Sequence, residues 1–247
     1  MTPAVLFLRV PAVPPKVATA YEQWYDRVHI PYRMDKPHFL GAQRYDVLVG
    51  HQRYLVFYEL SSPAALMSDE YLALRRWEAA QPPDSFEAPG SSRPGFERGV
   101  YDQVAGPGWS AADLRAPIVH IAGCHPSDDQ EDAFGAWMDS DHTQAVSRVP
   151  GVVAVRRFVL TRAPLGSNSG LRTDRPRFLT VSYLDSQSVA DDPVFADDQA
   201  RARAMAHALD EEPYVLLGRL VHTATAEGIS LDRGLQADPG ASEGERS

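Results

Sequence analysis

A chain that repeats itself is constrained to fold as two copies of one unit, and this one repeats at a spacing of 113 residues. Residues 5–45 align with 118–158 without a gap. Only six of the 41 pairs are identical, so their placement carries the argument: Ala20/Ala133, Trp24/Trp137, Asp26/Asp139, His29/His142, Pro37/Pro150 and Arg44/Arg157. Apolar character matches around them, as in Val5/Ile118, Leu8/Ile121, Tyr21/Phe134 and Tyr45/Phe158. Two of the four tryptophans coincide, each five residues before a histidine. Further on the register moves by 11, so that 53–57 matches 177–181. The insertion falls in 160–176, a Gly/Ser/Arg-rich stretch that reads as a longer hairpin loop.

Each unit reads as strand, helix, strand, strand, helix, strand. A β-rich run over 4–10 stops at Pro11. Val17, Tyr21, Trp24, Tyr25 and Val28 then recur at helical spacing, and Pro31 and Pro37 are expected to close that helix. Strands over 42–49 and 54–60 flank a hairpin-sized Gly50-His51-Gln52 turn. A helix over 62–79 and a strand near 99–104 complete the unit, and the second copy follows suit. This order is the split βαβ, ferredoxin-like plan. The fold class is therefore α+β: two tandem ferredoxin-like repeats packed sheet to sheet as a pseudo-twofold α/β barrel. The domain boundaries are repeat 1 over 1–110, repeat 2 over 111–225 and a disordered tail over 226–247. Each sheet has one face uncovered by its own helices, so the two faces are expected to clasp a ligand chamber between them. The Pro- and Gly-rich stretch 80–98 is too long for a plain connector and reads as a lid or a loose loop.

Composition narrows the partners. Hydrophobic residues make up 44% and charged ones 23%, enough for a real core. A net charge of −9 argues against a nucleic-acid surface, and no apolar run approaches the ~18 residues of a membrane span. The opening residues lack a basic region and read as a strand, not a secretory signal. The single cysteine, Cys124, excludes an internal disulfide and fits a reducing cytoplasm. A small-molecule substrate is the expected partner, with a homodimer kept as a candidate assembly. Neither histidine spacing nor any phosphate loop or nucleophile elbow points to a metal site or to another familiar chemistry.

The repeated histidines carry the chemistry. Tyr21, Tyr25 and His29 lie at i, i+4 and i+8, so His29 extends a buried stripe, and Phe134, Met138 and His142 do the same. An imidazole beside an apolar cavity suits proton transfer, because its reference pKa of roughly 6.5 lies near working pH. The bland reading is a helix-end histidine bonding the last carbonyls. Asp26 and Asp139, three residues earlier, are placed to orient those rings, or else are solvated acids. Trp24 and Trp137 wall a cavity for a planar ligand, or simply pack. Arg9 shares a face with Val5 and Phe7, and His120 shares one with Ile118 and Ala122. If those faces line the cavity, both are polar groups in an apolar chamber.

Three segments now bear comparison with a known family. Val28-His29-Ile30-Pro31, the run from Lys36-Pro37-His38 to Arg44-Tyr45, and Tyr54-Leu55-Val56-Phe57-Tyr58-Glu59-Leu60 resemble the EthD-like branch of the dimeric α/β-barrel superfamily. Asp141-His142, Val149-Pro150-Gly151 and Arg157-Phe158 are similar but more divergent. The resemblance implies cofactor-independent catalysis on small cyclic, aromatic or polyketide-like molecules, by a lyase or isomerase of dehydratase, cyclase or decarboxylase type. It implies that His29 transfers the proton, with Asp26 holding it and His142 its counterpart. Trp24, Tyr25, Tyr45 and Trp137 would then hold the ring, and Arg9 or His120 would stabilise negative charge. Alternatives are a cofactor-free quinol-type monooxygenase, a haem-dependent barrel enzyme, and a non-catalytic binder of an apolar metabolite. In two places the chain departs from the family pattern: Pro37-His38 stands where Pro-Gly is usual, and Thr143 follows His142 where a proline is usual.

Overall fold

A computed structural model describes residues 2–89, 94–109, 112–165, 176–205 and 214–226. The first repeat runs β1 (Ala4–Val10), α1 (Pro15–Trp24), a π turn (Tyr25–His29), α2 (Ile30–Met34), β2 (Phe39–Val49), β3 (Tyr54–Leu60), α3 (Asp69–Ala79) and β4 (Glu97–Ala105). The second runs β5 (Ile118–Cys124), α4 (Glu131–Trp137), a π turn (Met138–His142), α5 (Thr143–Ser147), β6 (Val152–Leu160), β7 (Phe178–Leu184), α6 (Pro193–Met205) and β8 (Tyr214–Thr225). All neighbouring strands are antiparallel and close into one barrel, in the order β1-β3-β2-β8-β5-β7-β6-β4. Each repeat supplies four adjacent strands, and the pairs β2–β8 and β4–β6 seal the two sheets together. The expected tail lies outside the described residues.

Strand alternation sorts the side chains into two layers. Ala4, Leu6, Leu8 and Val10 face outward beneath the helices, with Tyr54, Val56 and Tyr58 beside them. Val5, Phe7, Tyr45, Leu55, Phe57, Val119, Ile121, Phe158 and Tyr183 point into the barrel and fill it. Phe7 and Phe57 stack there at 4.6 Å between centroids. A buried bridge also crosses the interior, Arg156 Nη1 and Nη2 donating to Glu59 Oε1 and Oε2 at 2.6 and 2.9 Å. The expected chamber between the two sheets is therefore a packed core. The cavities lie on the opposite side of each sheet, beside that repeat's own helices.

Two further expectations change. Pro31 does not end the first helix. The Ile30 N–H reaches back to Tyr25 O, a π-type bond, and the helix continues through Pro31 to Met34. The same π turn recurs at Met138–His142 without a proline, where the Thr143 N–H bonds Met138 O. The leading strands also superpose at a spacing of 114 and not 113. Val56 faces Leu8 and Thr180 faces Ala122, so Leu8 corresponds to Ala122 and Leu6 to His120. A one-residue slip turns every side chain to the other face, which is why Arg9 and His120 do not share a surface.

Candidate functional site

The first repeat holds a small cavity of about 30 Å³, room enough for a water but not for a ring as it stands. Its floor is the outer face of β1 and β4 (Leu6, Leu8, Arg98), and its walls are Tyr21, Trp24, Tyr25, His29 and Arg33. Tyr71 and Arg75 of α3 close one side. Phe86, Ala88 and Phe96, from the segment expected to be a lid, close the top. Phe86 meets Tyr21 edge-on at 5.5 Å and Trp24 at 5.7 Å, so its ring covers the space from this segment.

His29 enters this cavity from the π turn, whose extra residue tightens the helix's advance and brings Trp24, Tyr25 and His29 round to one side. Its ring lies 4.8 Å from Trp24 and 4.4 Å from Tyr25 between centroids. Arg33 Nη1 stands 3.4 Å from His29 Nδ1. Burial pushes the Tyr25 phenol well above its ordinary pKa, with nearby Tyr58 adding to the rise, so Tyr25 stays a neutral donor. Trp24 Nε1 is buried without a hydrogen-bond partner among the described residues.

Asp26 does not orient His29. Its two oxygens receive Arg44 Nε and Nη2 at 2.8 and 2.7 Å, a two-pronged pin that fixes the helix to β2. Asp139 and Arg157 pair at the same position in the second copy, through a single bond from Nη1. Arg44 and Arg157 thus have a structural use common to both halves.

The other predicted residues disperse. Tyr45 lies inside the barrel and Arg9 pairs with Glu97 across β1 and β4, so neither reaches the His29 cavity. His120 lines a separate space of about 270 Å³ in the second repeat, its ring edge-on to Phe195 at 4.9 Å. His142 is wholly buried, beside Trp137 at 5.2 Å, and its Nδ1 is engaged by Asp198 of α6. Burial lowers the His142 pKa; Asp198 pulls it upward and Arg157 adds to the lowering. Cys124, Phe134, Met138 and Ala202 cluster together in this helix-covered layer. The two copies of the histidine therefore differ: His29 faces a cavity and His142 is enclosed.

Sequence reasoning missed Arg33, Arg75 and Arg98. The signal for them was present only as a contrast between repeats. Once the registers are known, their counterparts are Val146, Gln199 and Val215, none of them charged.

No protein-family model matches the chain, and no curated protein matches it in sequence. Solved structures do. The chain resembles an anthrone oxidase-like protein at 16% identity and a TM-score of 0.63, covering 91% of this chain and 93% of that one. A candidate monooxygenase from Fusobacterium nucleatum follows at 7% identity and 0.58, with 91% and 94% covered. A candidate chlorite dismutase matches at 14% and 0.53, over 93% and 98%. At these identities the likeness carries the fold: a dimeric α/β barrel of ferredoxin-like units, here closed within one chain.

Proposed function

We propose that this chain is a cofactor-independent enzyme that moves a proton on a planar cyclic, aromatic or polyketide-like molecule, with His29 as the acid–base group. One observation carries the reading: His29 is the imidazole that lines the aromatic cavity of the first repeat. Trp24 and Tyr25 supply flat walls, and a ring would take the place now held by Phe86. In a lyase or isomerase of the EthD-like kind, the carbanion left by proton removal expels a group or is reprotonated elsewhere. Likeness to the anthrone oxidase-like structure favours a second reading. There a ring CH₂ gives its proton to His29 and its electrons to dioxygen, and the net products are the ring ketone and water.

A haem does not fit these residues. An axial histidine needs a free nitrogen facing a slot as wide as the macrocycle. His142 is enclosed with Nδ1 on Asp198, while His29 and His120 face spaces of about 30 and 270 Å³. Neither space reaches the ~300–1,000 Å³ usual for ligand sites, and a macrocycle far exceeds the place held by Phe86.

Incubation with anthrone under air and, separately, with an enolisable lactone in D₂O tests the reading. Oxygen uptake or deuterium incorporation at carbon is expected, falling ~10²–10⁴-fold in His29→Ala, the usual contribution of a positioned base. Unchanged rates in His29→Ala would remove His29 from the chemistry. Uptake of oxygen selects the oxygenase reading, and exchange without uptake selects the lyase or isomerase.

A further inference from the structure

The His29 cavity carries more positive charge than it neutralises. Arg33, Arg75 and Arg98 all line it. Glu78, 2% exposed, serves two of them: Arg33 Nη2 donates to Oε1 at 2.5 Å and Arg75 Nη1 donates to Oε2. Arg98 is left over. It is 5% exposed, and among the described residues no carboxylate pairs with it. Its contact is a long one, Nη2 to the Tyr71 hydroxyl at 3.4 Å, and Nε has no hydrogen-bond partner. A guanidinium cannot shed its charge at any working pH, so an unpaired buried one is costly unless something anionic joins it.

The second repeat shows that the fold does not require this cluster. Leu8 faces Arg98 just as Ala122 faces Val215, so the two positions correspond in the barrel. At the repeat spacings Val146 replaces Arg33, Gln199 replaces Arg75 and Ala202 replaces Glu78. The same architecture is built there with none of the charges. The arginines thus belong to what the first cavity does and not to how a repeat folds.

We infer that the first cavity takes a planar ligand bearing an anionic oxygen, a carboxylate or a phenolate, and that Arg98 binds that oxygen. The inference rests on the proposed function for the cavity's use and adds the class of substrate. Arg98 on the β4 floor and His29 on the helix wall line the same space from different elements. One ligand can therefore offer its anionic oxygen to the strand and its reacting carbon to the imidazole.

The test uses the full chain and defined probes: 1-hydroxy-2-naphthoate, its methyl ester and its amide, with 1-naphthol titrated below and above its own ionisation. Affinity is read by calorimetry. The naphthoate is expected to bind about 10- to 100-fold more tightly than ester or amide, as a charge-assisted hydrogen bond predicts. Arg98→Gln should erase that difference while leaving ester binding in place, and Arg98→Lys should restore part of it. Naphthol that tightens only when ionised points to phenolate ligands; indifference to its ionisation beside tight naphthoate points to carboxylates. Equal affinity for acid and ester in the unmodified protein overturns the inference without reference to any variant, as does binding of neither. Naphthoate bound through Arg98 with His29→Ala turning over normally refutes the proposed function and leaves this inference standing. Turnover that needs His29 but not Arg98 does the reverse.

Discussion

His142 shows how much one enclosed side chain can bear on stability. Its ring is fully buried and its pKa is held below the ordinary value by burial. In the unfolded chain the same group titrates near ~6.5. Between that value and the lower folded one, the unfolded state holds more protons, so stability falls as pH drops through this window and is fully present above it. Thermal melts from pH 7.5 to 5.5 should show this decline, and His142→Gln should flatten it. A variant with the wild-type slope would place the titration elsewhere. His29 repeats His142 in sequence and matches it in local helix geometry, including the π turn. What separates them is what packs beside them: the cavity lined by Tyr71, Arg75 and Phe86 in one repeat, and the Asp198 carboxylate on Nδ1 in the other. Nothing in the local Trp-to-His spacing encodes that difference.

The turn after each leading helix makes the same point at the level of elements. Gly151 has φ +89°, a conformation open to glycine, and His38, its counterpart, has φ +71°. Both residues accept a hydrogen bond from the residue that follows the third strand of their own repeat, β3 or β7: Ser61 N to His38 O and Asp185 N to Gly151 O, each at 2.9 Å. The backbone bond holds the turn and the side chain must tolerate it. His38→Gly is expected to raise unfolding free energy by about 0.5–1 kcal/mol, by relieving the left-handed conformation net of glycine's entropy. Urea titration measures it; a destabilised variant would mean that the His38 side chain holds the turn by contacts of its own. The π turns belong to this scale as well. Helical periodicity predicted the stripe through Tyr21, Tyr25 and His29, and the stripe exists, but the proline reading of its end failed. A π bond spans five residues and leaves the N–H at position 31 unneeded, so Pro31 fits inside a continuing helix.

Across the molecule the two repeats are joined by their shared interior. Glu59 comes from β3 and Arg156 from β6, and both are at most 2% exposed. Gln103 Oε1 and the Tyr183 hydroxyl also receive Arg156, at 2.7 and 3.4 Å. Glu59→Gln strips the charge from one side and should cost about 3–5 kcal/mol, whereas replacing Glu59 and Arg156 together by Leu and Met should be nearly neutral. Chemical denaturation distinguishes the two, and a mild single variant would show that water reaches the barrel centre. The order of elements, their approximate bounds and the pseudo-twofold barrel were all legible in the chain, because apolar periodicity and an internal repeat are local, countable properties. That Trp24, Tyr25 and His29 wall one cavity was legible for the same reason, since they are neighbours on one helix. Which side of the sheet holds the cavity was not legible. That depends on whether large side chains such as Phe7, Tyr45 and Phe57 fill the barrel, a question of packed volume in three dimensions. Nor was Arg98, which lies 69 residues beyond His29. Sequence fixes which side chains alternate along a strand, but only the closed barrel decides which distant ones end up facing each other without a counter-charge.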